Sequence, residues 1–353
     1  MSVDLKRIKT VGQDYPWHRL VGGIAIVVVT GVLAVSQGTV GMSPWTVIEI
    51  IVTRIPGLHI VQDWPGSWET IIWDLRLPRI MLAGTVGASL ALSGATYQGL
   101  FRNPLADPFL IGVASGAGLG ATIVLISGVT TEYFGISVLP IAAFVGAIIA
   151  VGIAYAIARD SEGLPLTNLL LAGVVIAALA GAATTLLMIR SDPDLRPVLS
   201  WLLGGFSSAE WNHTVLILPY LLPSLVVSIL YGRILNILQL NEEFAKYLGV
   251  NVESAKLLLI ISATLSTAAA VSFSGLIGFV GLISPHAVRL IWGVDYRILL
   301  PMSAIVGAGF MVLADLAARV VVSPSELPVG VVTAFVGAPF FLFLLRRQRR
   351  VIM

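Results

Sequence analysis

Apolar residues along this chain come in long runs, and polar residues are confined to short stretches between them. Ten runs approach the roughly 20 residues a helix needs to cross lipid, where backbone N–H and C=O groups must satisfy one another. They fall near 20–36, 80–97, 108–126, 136–158, 166–189, 215–230, 255–271, 275–290, 298–322 and 329–345. The pattern predicts an all-α polytopic membrane protein of about ten transmembrane helices. It divides into an N-terminal segment 1–19, a membrane domain 20–345 and a basic tail 346–353. The opening MSVDLKRIK and the apolar stretch behind it have the outline of a signal peptide, with Ala34-Val35-Ser36 as a crude cleavage site. The run is long and further spans follow, so the reading is an uncleaved first span.

One segment interrupts this pattern. LQLNEEFAKYLGV, between two apolar runs, is charged and too short to span. Asn241 suits an N-cap, Glu242 and Glu243 the first turn, and Gly249 the stop, which predicts a two-turn helix. Leu240, Phe244, Tyr247 and Leu248 share one face of it, and Glu242, Glu243 and Lys246 point elsewhere. Such a helix fits insertion into a groove on a soluble partner, or a connector lying against lipid.

Composition agrees with the pattern: 353 residues, 57% hydrophobic, 11% charged. With ten spans and a cytoplasmic N-terminus, fifteen of the 21 Lys and Arg lie on the cytoplasmic side. Basic residues are retained there, so both termini and the short amphipathic helix are predicted to be cytoplasmic. The opposite side is net acidic, so Arg76 and Arg79 of LRLPR, with Arg319, stand out as a basic patch. They fit snorkelling to the interface or capture of a partner's carboxylates. Asp315, four residues before Arg319, equally fits a salt bridge within the chain.

An offset of 181 residues superposes Ser93-Gly94, Pro104 and Gly112 on Ser274-Gly275, Pro285 and Gly293. Five spans separate the copies, so they run in opposite directions, the pattern of a weak inverted repeat. FRNPLADP (with Asn103 and Pro104) and GLISPHAVR (with Pro285) are expected to carry helix breaks near the cytoplasm. Gly112, Gly116 and Gly120 recur every fourth residue and fit close helix packing, or a lining role shared with Ser115. The lone His286 reads as a structural hydrogen-bonder.

The chemistry-bearing motifs are absent. Without cysteine there is no disulfide or thiolate site, and the four histidines are scattered, so no metal site is expected. There is no GxxxxGK[ST], HExxH or GxSxG, so the chain does not hydrolyse ATP and is not expected to be an enzyme. Few carboxylates fall inside the apolar runs, which argues against an ion-coupled secondary carrier. A membrane scaffold or receptor stays open at this level.

LRLPRIMLAGTVGASLALSGATYQGLFRNPLADPFLIGVASGAGLGA, LNEEFAKYLGV, FSGLIGFVGLISPHAVRL and ELPVGVVTAFVGAPFFLFLL together resemble the FecCD-type permeases of ATP-driven importers for iron-siderophores, haem and cobalamin, over about 75–345. The resemblance implies a type II ABC importer permease in a bacterial or archaeal cytoplasmic membrane. Its partners would be a second permease copy, usually forming a homodimer, two cytoplasmic ABC ATPases and an extracytoplasmic substrate-binding protein. ATP and Mg would be bound by the ATPase, with no cofactor in this chain and no nucleic acid. It implies that Asn241, Glu242, Glu243, Phe244, Ala245, Leu248 and Gly249 form the ATPase-coupling helix, and that Arg76, Arg79 and Arg319 receive acidic residues of the binding protein. The family usually has Gly where this chain has Asn241. Asn103, Pro104, Gly112, Ser115, Gly116, Ser274, Gly275 and Pro285 are assigned to the translocation path or its helix breaks.

Overall fold

The computed structural model describes residues 17–349 apart from 39, 57–60, 130–131, 134–135, 162 and 192–194. Most of the N-terminal segment and the last four residues of the basic tail therefore lie outside the described residues. The helices are α1 (Trp17–Ser36), α2 (Pro44–Val52), α3 (Gly66–Thr70), α4 (Leu77–Leu100), α5 (Val113–Ser127), α6 (Val138–Ala158) and α7 (Leu166–Arg190). They continue with α8 (Arg196–Leu203), α9 (Trp211–Leu238), α10 (Glu242–Tyr247), α11 (Val252–Ser274), α12 (Val280–Trp292), α13 (Tyr296–Val320) and α14 (Val329–Arg349). A two-residue hairpin, Glu132–Tyr133 with Ile136–Ser137, precedes α6.

Among the described residues seven helices are long and apolar enough to cross a membrane. With α5, α12 and α14 they make ten passages, each overlapping a run read from the sequence. The second is longer than its apolar run, because α3 passes through a π-helical stretch, Ile71–Arg76, into α4 without a break. Two short helices, α2 and α8, were not expected. Each starts at a proline in its first turn, where the missing N–H costs nothing.

The molecule is built around α4. The most apolar window of the Gly66–Leu100 passage is 83% buried, against 17% for α1 at the periphery. Close approach depends on absent side chains. A Cβ on Gly87 would lie 2.3 Å from the Gly307 carbonyl of α13, and one on Gly94 2.1 Å from the Gly281 carbonyl of α12. A helix partner lacking side chains is the usual basis of tight packing in lipid. Alongside, Ser93 donates to the Ala263 carbonyl (3.0 Å) and Tyr97 to that of Ile260 (3.3 Å). As α4 advances α11 recedes, so the two copies of the repeat do run antiparallel. Their motifs are not structurally equivalent, because Ser93-Gly94 lies within α4 and Ser274-Gly275 ends α11.

The glycine row divides. Gly116 and Gly120 press on Gly146 and Ala142 of α6, whereas Gly112 is outside the helix. It sits at φ +94° between a 3-10 turn, Pro108–Ile111, and α5. The expected run 108–126 is thus broken, and at the glycine.

The break expected at Pro285 is elsewhere. Pro285 lies inside α12, and the chain is unwound over 275–279, with Gly275 and Phe279 both at φ +68°. Proline leaves the carbonyl four residues earlier without its helical donor. That carbonyl is Gly281, and Gln98 Nε2 from α4 donates to it at 3.0 Å. With the orphan satisfied, the helix continues.

Candidate functional site

Two regions at opposite ends of the helices hold the charged residues that the sequence singles out. At one end is α10. Asn241 caps it, accepting from Glu243 N–H at 3.1 Å. At the other terminus Gly249 (φ +81°) donates to Lys246 O at 2.9 Å and Val250 to Ala245 O at 3.0 Å, closing the helix as a glycine stop does. Ala245 is buried among Leu238 and Val252 and so fixes the inner face. The outer face is the apolar ridge: Leu240, Phe244, Tyr247 and Leu248 are 70, 47, 88 and 56% exposed. Glu243 and Lys246 are exposed. Glu242 turns inward, 2.8 Å from Lys256 Nζ and 3.8 Å from Arg102 Nη2.

At the same end, α9 meets α13 through Asn236. Its amide donates to Asp295 Oδ1 at 2.7 Å and accepts from Tyr296 N–H at 3.0 Å. Burial works against the Asp295 charge. The hydrogen bonds from Arg297 and Asn236 outweigh it and hold this carboxyl below the usual carboxylate range.

At the far end the three arginines do come together, but their donors are engaged within the chain. Arg76, 8% exposed, donates to the carbonyls of Val35 and Val40, each at 2.6 Å. Arg319 donates to Ala34 O (3.0 Å) and Gln37 O (3.1 Å). Both guanidiniums thereby cap the C-terminal turn of α1, where carbonyls lack helical donors and carry partial negative charge. Gly38 leaves the room, since a Cβ there would meet Arg76 Nη2 at 2.7 Å.

Asp315, fully buried, lies between the other two. Arg79 Nε and Nη2 approach its Oδ1 at 2.9 and 2.8 Å, and Arg319 Nε its Oδ2 at 3.0 Å. On its outer edge Arg79 donates to both oxygens of Glu326, at 3.1 and 2.9 Å, and Glu326 is 44% exposed. A crevice of about 310 Å³ opens here, lined by Arg76, Arg79, Arg319, Glu326 and Ser207. The Asp315–Arg319 pair was legible as i,i+4. Glu326 and the Arg79 contacts were not, being more than 200 residues apart in sequence.

The residues assigned to a path are distributed over four places. Asn103 and Pro104 are exposed in the 101–107 connection at the α10 end. Gly112, Ser115 and Gly116 belong to the start of α5, with Ser115 donating to Gly112 O. Ser274 and Gly275 line a second cavity, also about 310 Å³, with Ser200, Trp201, Ser207 and Phe273. Pro285 is buried in α12. Lys256 was not singled out from the sequence, yet it is 4% exposed.

The chain belongs to the FecCD transport family, whose model matches residues 26–347. It is thereby a multi-pass membrane permease of the ABC transporter class. It is 47% identical over 282 residues to the cobalamin import system permease protein BtuC of Halobacterium salinarum, covering 80% of this chain and 75% of that one. It is 41% identical over 292 residues to the hemin transport system permease protein HmuU of Yersinia pestis, covering 81% and 87%. A solved structure described as an inward-facing conformation of a metal-chelate type ABC transporter superposes with a TM-score of 0.81 at 32% identity. The match covers 94% of this chain and 100% of that one.

Proposed function

We propose that this chain is the permease subunit of an ATP-driven importer for an iron-siderophore or a related metal chelate, haem or cobalamin, handed over by an extracytoplasmic binding protein. Two cytoplasmic ATPases bind ATP and Mg, a second permease copy completes the pathway, and both termini with α10 lie on the cytoplasmic side. The observation that carries this reading is α10 itself. A six-residue helix, capped at both ends and anchored by Ala245, turns four large apolar side chains away from the protein. That is the shape of a helix that seats in a groove. It suits a lever moved by a nucleotide-driven partner, since the chain has no nucleotide loop of its own. Membrane vesicles holding the permease with its ATPase and binding protein should accumulate labelled chelate only with ATP inside the cytoplasmic compartment. Uptake driven by an ion gradient without ATP would instead mark a secondary carrier.

At the far end the docking reading takes a specific form. The outer edge of Arg79 is open to exchange, and the half-exposed Glu326 occupies it. A carboxylate of the binding protein would replace Glu326 there, and the buried Asp315 would keep Arg79 and Arg319 in position. Glu326→Gln should then tighten capture of the binding protein. Equal or weaker capture would assign docking elsewhere.

A further inference from the structure

Three segments of the chain meet at one buried amine. Lys256 stands in the second turn of α11, and lysine seldom sits at 4% exposure unless it is paired. An ammonium has three N–H donors, and each finds an acceptor. Nζ lies 2.8 Å from the Glu242 carboxylate of α10, 3.0 Å from Glu253 Oε1 on α11 and 3.2 Å from the Leu164 carbonyl. Leu164 is buried in the 159–165 connection between α6 and α7. Its N–H donates in turn to Glu253 Oε2 at 2.9 Å, so this connection is gripped through its backbone on both sides of one residue. Glu242 also faces Arg102, in the 101–107 connection between α4 and α5. Two carboxylates thus stand against two cations.

The arrangement exceeds what anchoring α10 requires. The apolar contact of Ala245 with Leu238 and Val252 already seats the helix on α9 and α11. Lys256 adds a link to a different part of the molecule. Leu164 lies two residues before α7 begins, and the segment it holds joins α6 to α7, which both pack against α5. A side chain fixed at three acceptors on three segments transmits displacement, because no one arm can move without breaking a charge-assisted bond to a buried ammonium.

We propose that Lys256 is the joint through which α10 drives the α6–α7 connection, so that both move as one body when the partner ATPase closes. This positioning role rests on the reading of α10 as the ATPase-docking helix. The chain has no cysteine, so spin labels can be placed at chosen positions in it, with a cysteine-free ATPase as its partner. Labels at Lys246→Cys and Ser161→Cys report the α10 to α6–α7 distance, and labels at Lys246→Cys and Val294→Cys report α10 against the α12–α13 turn. The permease–ATPase complex is measured in lipid by pulsed electron resonance, without nucleotide and then trapped with ATP, Mg and vanadate. With Lys256 present, trapping should shift the second distance and leave the first unchanged. In Lys256→Met the first distance should shift or broaden on trapping, Lys256→Arg should restore its constancy, and Glu242→Gln, which removes the charge of the α10 arm together with its pairing to Arg102, should behave as Lys256→Met. A constant first distance in both Lys256→Met and Glu242→Gln, or a changing one in the parent protein, overturns the joint and leaves α10 docking intact. If neither distance responds in the parent protein, the docking reading fails together with the joint.

Discussion

Asp315 shows how one buried carboxylate organises an entire end of the molecule. It pairs with Arg79 and Arg319 at once, and Arg319 goes on to cap α1. Removing one partner from a buried ion pair costs about 3–5 kcal/mol, because the remaining charge stays desolvated. Asp315→Asn should therefore lower the unfolding midpoint in detergent markedly, whereas Glu326→Gln, at a half-exposed position, should change it little. Equal effects would mean that the two acids share the load. Gln98 allows a smaller test. Replacing it with Leu leaves the Gly281 carbonyl without a donor beside Pro285, a loss of about 1–3 kcal/mol. The same substitution combined with Pro285→Ala should recover stability, since the alanine N–H then bonds Gly281 O within α12. No recovery would show that Gln98 matters by packing alone.

At the scale of elements, lipid made the fold readable and loop chemistry hid the exceptions. The ten apolar runs and the caps of α10 were legible because each follows from a local rule: backbone groups satisfied inside a helix, Asn at the start and Gly at the stop. Pro285 misled for a physical reason. A proline within a helix leaves one carbonyl without its donor, and at Pro285 the replacement comes from Gln98, 183 residues from Gly281. The real break depends on Gly275 and Phe279 adopting positive φ, which no pattern of apolar residues announces. The arginine patch was legible as a cluster but not as a closed one, since its carbonyl acceptors on α1 carry no sequence signal. The α9–α13 joint yields a prediction at this scale. A carboxyl whose pKa is depressed on folding contributes stability that is complete above its unfolded value, about 4. That contribution disappears as pH falls through the lower folded value. Acidification below about pH 4 should thus weaken the joint, and Asp295→Asn should flatten that part of the stability profile. A profile unchanged by the substitution would place the acid sensitivity elsewhere.

Across the whole molecule, charge is gathered at two ends and the middle is held by glycine contacts and hydroxyl-to-carbonyl bonds. One end presents an apolar ridge on a helix tied into the core, and the other presents an acid over an arginine whose remaining bonds are internal. On the proposed reading the first is the face for the ATPase and the second the face for the binding protein. Coupling to a separate motor depends on the ridge of α10. The most direct measurement places one cysteine at Tyr247, in a chain that otherwise has none, and labels it with a membrane-impermeant maleimide. The account predicts labelling only from the cytoplasmic side, and protection once the ATPase is assembled. Labelling from outside the cell, or labelling that ignores the ATPase, would contradict it.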